Sequence, residues 1–186
     1  MSDEALAEHI ALAARVEELL PRVEEVAKSV IAGYEAGHRV FTFGNGGSAA
    51  DAQHLAAELV GRYLRERRPL AATALSVDPS TVTSIANDYS FDDVFARQVR
   101  AQVSAGDVVI AFTTSGRARN VVAGIAAARE ADAVTVVFTG GDGGPAATEA
   151  ELALVVPSTV TARVQEIHLL LMHLIVDRVD SWAAQR

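Results

Sequence analysis

Two rhythms of apolar positions divide the chain. Over residues 3–36, Leu6, Ile10, Ala13, Val16, Leu20, Val23 and Val30 recur at steps of three, four and seven, with acids and arginines between them. That spacing predicts helix throughout. Pro21 predicts either a kink or the first turn of a second helix, and Gly37 closes the segment. This apolar face precedes any strand it could cover, which points to a helix–helix role, contact between subunits included. From residue 40 the rhythm changes to short, continuous runs rich in β-branched residues. They predict strands at 40–43, 71–75, 108–113, 134–138 and 152–156. Helical spacing fills the intervals, at 48–64, 80–85 and 92–102, from the turn at Gly116 to about Glu130, and last at 162–179. Strands that are apolar without alternation are covered on both faces, so the order predicts an α/β fold with a parallel sheet.

Composition narrows the function classes. With 186 residues, half of them hydrophobic, one domain with a sizeable core is expected. A formal net charge of −8 argues against a nucleic-acid surface, so an anionic ligand would be held by local donors. The absence of cysteine excludes disulfides and thiolate metal sites and leaves His, Glu, Asp and Gln as ligands. The N-terminus lacks the basic start and apolar run of a signal peptide, and the most apolar stretch, residues 168–176, is too short for a membrane span. A cytoplasmic protein is the expectation. The basic run Arg65-Glu66-Arg67-Arg68-Pro69 predicts a solvated loop.

Candidate chemistry begins at Gly44-Asn45-Gly46-Gly47-Ser48, where the first strand passes into a helix. Glycines let the backbone approach a ligand closely, and the free N–H groups of a helix start favour an anion. Ser48 fits an N-cap and has a hydroxyl to offer a phosphate oxygen. The glycine spacing is not G-x-G-x-x-G. A second donor-rich strand end, Thr113-Thr114-Ser115-Gly116, matches the first, and the pair fits one phosphate with an attached polyol. His54 and Glu58, four residues apart, leave one face of the early helix. They could share a metal ion, act as acid and base on one substrate, or form an ordinary solvated pair. In the last helix, His168 reads as a core histidine. Gln165 and His173 stand two turns apart, ~12 Å along the axis, so two metal ligands from these positions would come from different chains.

Taken in order, Gly44-Asn-Gly-Gly-Ser48, Asp51-Ala-Gln-His54, Ala57-Glu58-Leu-x-Gly61-Arg62, Ala86-Asn87-Asp88, Thr114-Ser-Gly116, Thr139-Gly-x-Asp-Gly-Gly144 and Arg163-x-Gln165-Glu-x-His168-x4-His173 resemble the phosphoheptose isomerases, which are built on the SIS domain. The resemblance spans nearly the whole chain. It implies a flavodoxin-like three-layer α/β/α sandwich with a five-stranded parallel sheet. Residues 1–186 would form a single SIS domain whose helical segment 1–36 packs in the oligomer, a homotetramer with active sites between subunits. It also implies the conversion of sedoheptulose 7-phosphate to D-glycero-D-manno-heptose 7-phosphate with a zinc ion bound. Carried onto matching positions, the metal ligands are His54, Glu58, Gln165 and His173. The substrate contacts are Asn45, Gly46, Gly47, Ser48, Glu58, Asn87, Asp88, Thr113, Thr114, Ser115 and Gln165.

The residue types fit a ketose–aldose isomerisation, with Glu58 as base, His173 as the acid serving the oxygens, and zinc as Lewis acid. A metal-bound carboxylate is a poorer base, so either Glu58 leaves the metal during turnover or the metal is partly structural. One departure stands out. Where the family usually has Asn-Ser after Ser-Gly, this chain has Arg117-Ala118, so a phosphate-binding hydroxyl is missing, and Arg117 or Arg119 either replaces it or faces solvent. Two further readings are a non-catalytic SIS-domain partner of the replication initiator, opposed by the presence of Glu58 and His173, and an isomerase of another sugar phosphate.

Overall fold

A computed structural model describes residues 2–185. The chain runs α1 (Ser2–Ala14), α2 (Leu20–Glu35), β1 (Val40–Gly44), α3 (Gly47–Val60), β2 (Ala72–Ala74), α4 (Pro79–Asp88), α5 (Val94–Gln102), β3 (Val108–Phe112), α6 (Arg119–Glu130), β4 (Val134–Gly140), α7 (Gly144–Glu149), β5 (Leu152–Val156) and α8 (Thr161–Ala183), with tight 3-10 turns at Arg15–Leu19 and Phe91–Asp93. The five strands are all parallel, in the order β2-β1-β3-β4-β5. The expected flavodoxin-like sandwich is therefore the fold. Its strand order reverses between β1 and β3, and a ligand crevice opens at the carboxyl ends of those two strands.

Side-chain alternation along the buried strands builds two cores. Val40, Val108, Ile110, Phe112, Val136, Phe138, Leu154 and Val156 face α1, α2, α3 and α8. Phe41, Phe43, Val109, Ala111 and Val137 face the layer of α4, α5, α6 and α7. Phe41, Phe43, Phe112 and Phe138 are fully buried; Phe43 stacks on Phe95 at 4.7 Å and Phe112 on Phe138 at 4.5 Å. Each buried ring contributes roughly 1.5–3 kcal/mol by its burial. His168 is enclosed in the first core, as a core histidine should be.

Several boundaries differ from the pattern in the sequence. The N-terminal segment is two helices, as one of the two readings of Pro21 expects, with Pro21 in the first turn of the second and a tightened stretch between them. Leu12 and Val16 enter the core, whereas Leu6 and Ile10 are exposed. The early helix stops at Val60, because the chain turns away at Gly61. Residues 144–149 form a short helix within what reads as a glycine-rich break; Pro145 in its first turn was the available signal. The basic run is not simply a solvated loop: the Arg67 side chain has 0% exposure and pairs with Asp180 of α8. Among the described residues, no helix is long and apolar enough to cross a membrane.

Candidate active site

The first half of the site lies at the switch point. Gly46, not Ser48, is the N-cap of α3; its φ of 56° and ψ of −122° need a residue without a side chain. Ser48 sits inside the first turn, its N–H donating to the Asn45 carbonyl at 3.0 Å, and is almost fully buried. Asn45, Ser48, Thr113, Thr114, Ser115 and Gln165 line one small cavity of about 210 Å³, together with Phe112, Ala118 and Thr161. Gly47 abuts the Gln165 amide so closely that a Cβ there would lie 2.5 Å from its Nε2.

The hydroxyls here are arranged to donate. Thr113 Oγ1 accepts from the Gly116 N–H at 3.3 Å, and Ser115 Oγ accepts from the Arg117 N–H at 3.2 Å. Each oxygen thus has its own proton left for a ligand. Asn45 and Asn120 exchange reciprocal side-chain bonds of 2.8 and 2.9 Å, which lock the Asn45 amide and leave it one free N–H. Sequence reasoning missed Asn120. A buried asparagine in the first turn of α6 was the only clue, and its partner is 75 residues away.

Ala118 lines the cavity where the extra hydroxyl is missing. Neither nearby arginine fills that place. Arg117 pairs with Asp142 at 2.6 Å and borders an adjoining cavity of about 380 Å³; Arg119 pairs with Asp92 at 3.2 Å. Asn87 and Asp88 are exposed at the end of α4, bonded to each other at 2.8 Å, and are not among the residues lining either cavity.

The second half lies at the far end of α3. His54 Nε2 and Glu58 Oε1 are 3.1 Å apart, and the His173 ring of α8 meets the His54 ring edge-on at 5.1 Å. One ligand atom from each of His54, Glu58 and His173 lies within 4.8 Å of the others. Two imidazoles and a carboxylate at this separation could hold a divalent cation with a fourth position open. Burial, then the neighbouring His54, holds the His173 imidazole below the usual histidine range, against an upward pull from Glu58. His173 is therefore mostly neutral at pH 7. One turn before His54, burial pushes the Asp51 carboxyl up to about 6 against a downward pull from His54.

Gln165, the fourth ligand implied by the sequence, stands beside Gly47, two turns of α8 before His173. The structure thus gathers the candidate residues into two groups along α3, with Asn87 and Asp88 at the end of α4 in neither. None of His54, Glu58 and His173 lines the cavity at the glycine loop.

A family model for the SIS domain matches residues 6–140. The chain is 48% identical over 163 residues to the phosphoheptose isomerase of Citrifermentans bemidjiense, covering 88% of this chain and 85% of that one. It is 46% identical over 171 residues to the phosphoheptose isomerase of Aquifex aeolicus, covering 92% and 90%. The solved phosphoheptose isomerase of Neisseria gonorrhoeae superposes with a TM-score of 0.92 at 41% identity, over 97% of each chain.

Proposed function

We propose a substrate, a ligand set and a division of labour for this chain, which belongs to the phosphoheptose isomerases of the SIS-domain family and is an isomerase. The reaction is the conversion of sedoheptulose 7-phosphate to the aldose D-glycero-D-manno-heptose 7-phosphate. The observation that carries it is the meeting of Glu58 from α3 with His173 from α8, in a chain whose switch point holds a neutral, hydroxyl-rich cavity at the other end of α3. Phosphorylated sugars do not cross bilayers unaided, so the reading carries a cytoplasmic location.

The phosphate binds at the glycine loop, taking hydrogen bonds from Ser48, Thr113, Thr114 and Ser115 in the field of the α3 N-terminus. At the other end, the Glu58 carboxylate removes a proton from C1, and the released pair forms the C1–C2 double bond. The C2 oxygen takes a proton from neutral His173, giving an enediol. His173 then recovers a proton from the C1 hydroxyl while Glu58 returns its own to C2. Oxidation at C1 balances reduction at C2, so no redox partner is needed. A neutral imidazole serves here as a donor that becomes an imidazolate on giving its proton to the C2 oxygen and is neutral again once it has taken the proton of the C1 hydroxyl. His54, Glu58 and His173 would hold the zinc ion, whose chemistry is to polarise the substrate oxygens.

The two halves do not meet within one chain. Gly47 and Glu58 are eleven residues apart on α3, ~16 Å at ~1.5 Å per residue, and side-chain tilt recovers only part of that. A fully extended seven-carbon phosphate spans about 10 Å, at the ~1.2 Å per bond of any extended chain. This supports a site completed between subunits of a homotetramer, in which Gln165 of one chain reaches the His54–Glu58–His173 cluster of another. The exposed Leu6 and Ile10 of α1 fit a helical segment that packs in that assembly.

A coupled assay on sedoheptulose 7-phosphate tests the reading, with Glu58→Gln and His173→Gln variants alongside. Turnover by the zinc-loaded wild type, reduced by ~10²–10⁴ in each variant, is expected. Robust turnover by Glu58→Gln would remove Glu58 from its role. An inactive zinc-loaded wild type would remove the substrate.

A further inference from the structure

We infer that the buried Arg67–Asp180 pair is a positioning device that sets the angle between Glu58 and His173, holding Glu58 through the terminal carbonyls of α3 and His173 through the ring of Tyr63. The inference rests on reading the His54–Glu58–His173 cluster as the reacting site.

Helix α3 reaches its end at Val60, two residues after Glu58, and its last carbonyls need donors. A glycine in the left-handed region commonly supplies one. Here Gly61 has φ −77° and ψ −110°, and an arginine six residues further on does much of that work. Arg67 Nη2 donates to the Glu58 carbonyl at 2.6 Å; Nη1 donates to those of Leu59 at 2.9 Å and Gly61 at 3.2 Å. The same guanidinium donates from Nε to Asp180 Oδ1 at 2.9 Å, and neither side chain has any exposure. Asp180 in turn accepts from the backbone N–H groups of Tyr63, Leu64 and Arg65, at 3.4, 3.2 and 2.8 Å. The loop so anchored lays the Tyr63 ring on His173, centroids 5.4 Å apart and planes within 17°. Asp180 lies seven residues beyond His173, two turns along the same face of α8. Arg65 adds a longer contact to Asp180, at 3.5 Å, and a bond to Asp177 at 2.7 Å. Only Arg67 reaches from Asp180 to the end of α3, and so ties Glu58 and His173 into one frame.

Stability alone is a poor account of the pair. Burying two charges costs several kcal/mol per ion, and apolar replacements of buried pairs are often neutral or stabilising. What the pair supplies is direction. Only the planar fork of arginine presents donors at once to a carboxylate and to the carbonyls of Glu58, Leu59, Gly61 and Arg68; a lysine carries a compact charge on a flexible stem.

The test compares Arg67→Lys and Asp180→Asn with wild type, using folded protein verified by circular dichroism. Two readouts are taken: kcat and KM on sedoheptulose 7-phosphate, and the His173 ring resonances in histidine-labelled protein, assigned with His173→Gln. Stacking on Tyr63 shifts those ring signals in the wild type, and Tyr63→Leu marks their unstacked position. The expected result is a 10–100-fold fall in kcat with KM changed less than about threefold, and His173 signals displaced toward the Tyr63→Leu position. Asp180→Asn keeps the shape of the carboxylate and carries the test if Arg67→Lys does not fold. Unmoved His173 signals in a folded variant, with only a lowered Tm or with kcat and KM changed alike, would overturn the inference. If the wild type lacks turnover, the substrate reading fails, and the ring signals still decide whether the pair sets His173.

Discussion

His168 gives the fold a pH dependence that can be worked out from its surroundings. The imidazole has no exposure, and its Nε2–H donates to the Thr139 carbonyl at 3.1 Å. The edges of Phe112 and Phe138 close around it, with centroids at 6.2 and 5.7 Å, and Nδ1 has no hydrogen-bond partner. A second proton would put an unpaired N–H and a charge into that cage. Burial accordingly pushes the imidazole down to about 4 from 6.5, with the Thr139 carbonyl pulling weakly the other way. Between those two values the unfolded chain holds a proton that the folded chain refuses, so stability is full above pH 6.5 and falls as the pH drops toward 4. The loss attributable to this residue is about 2 kcal/mol at pH 5 and approaches ~3 kcal/mol near pH 4.

The measurement is urea unfolding of wild type and His168→Gln at pH 7.5 and pH 5, at one protein concentration because subunit association shifts apparent stability. Glutamine can still donate to the Thr139 carbonyl but does not titrate. At pH 7.5 the variant is the less stable protein, through lost packing. Lowering the pH to 5 should close that gap by about 2 kcal/mol. Asp51 works in the opposite sense: its raised carboxyl makes the native state the stronger proton binder between about 3.8 and about 6. It is present in both proteins and cancels in the difference. A gap unchanged between the two pH values would mean that His168 accepts its proton in the fold as readily as out of it.

Two glycines separate binding from folding. Gly47→Ala places a methyl against the movable end of Gln165, so stability should change by less than about 1 kcal/mol while KM for the sugar phosphate rises at least about tenfold; an unchanged KM would remove Gln165 from the substrate. Gly116→Ala meets the Gly143 carbonyl, which is backbone, at a φ of +67°, and should cost more than about 2 kcal/mol in chemical denaturation. An unaltered denaturation midpoint would contradict the tight approach of these two loops.

What was legible in the sequence is what local chemistry decides. Val108 to Phe112 could be read as a doubly covered strand because each residue there is apolar whichever way it points. The phosphate loops were readable for the same reason: glycine and hydroxyl residues next to a strand end announce their own backbone demands. Arg67 and Asn120 were not legible. An arginine in a run of arginines looks solvated until its partner, 113 residues on, is known to reach the core beside it. The short helix at 144–149 was hidden because glycines on both sides of its start obscure the proline that marks it.

The distance between loop and cluster shows a further limit. Gly47 and His54 are close in sequence, and a reading that takes neighbours as partners places phosphate and chemistry together. A helix does the opposite, carrying residues apart by ~1.5 Å each along its axis. Helix α3 therefore carries the glycine loop at its N-terminus and Glu58 toward its other end, and α8 repeats the arrangement with Gln165 and, two turns on, His173. With both helices polarised alike, each chain, on the proposed reading, offers a phosphate end and a chemical end that its own substrate is too short to join. On the reading proposed above, the working unit is a pair of chains, the glycine loop of one set against the acid–base pair of the other. The Arg67–Asp180 pair then acts at the chemical end alone, which is why breaking it should lower kcat and leave KM nearly unchanged.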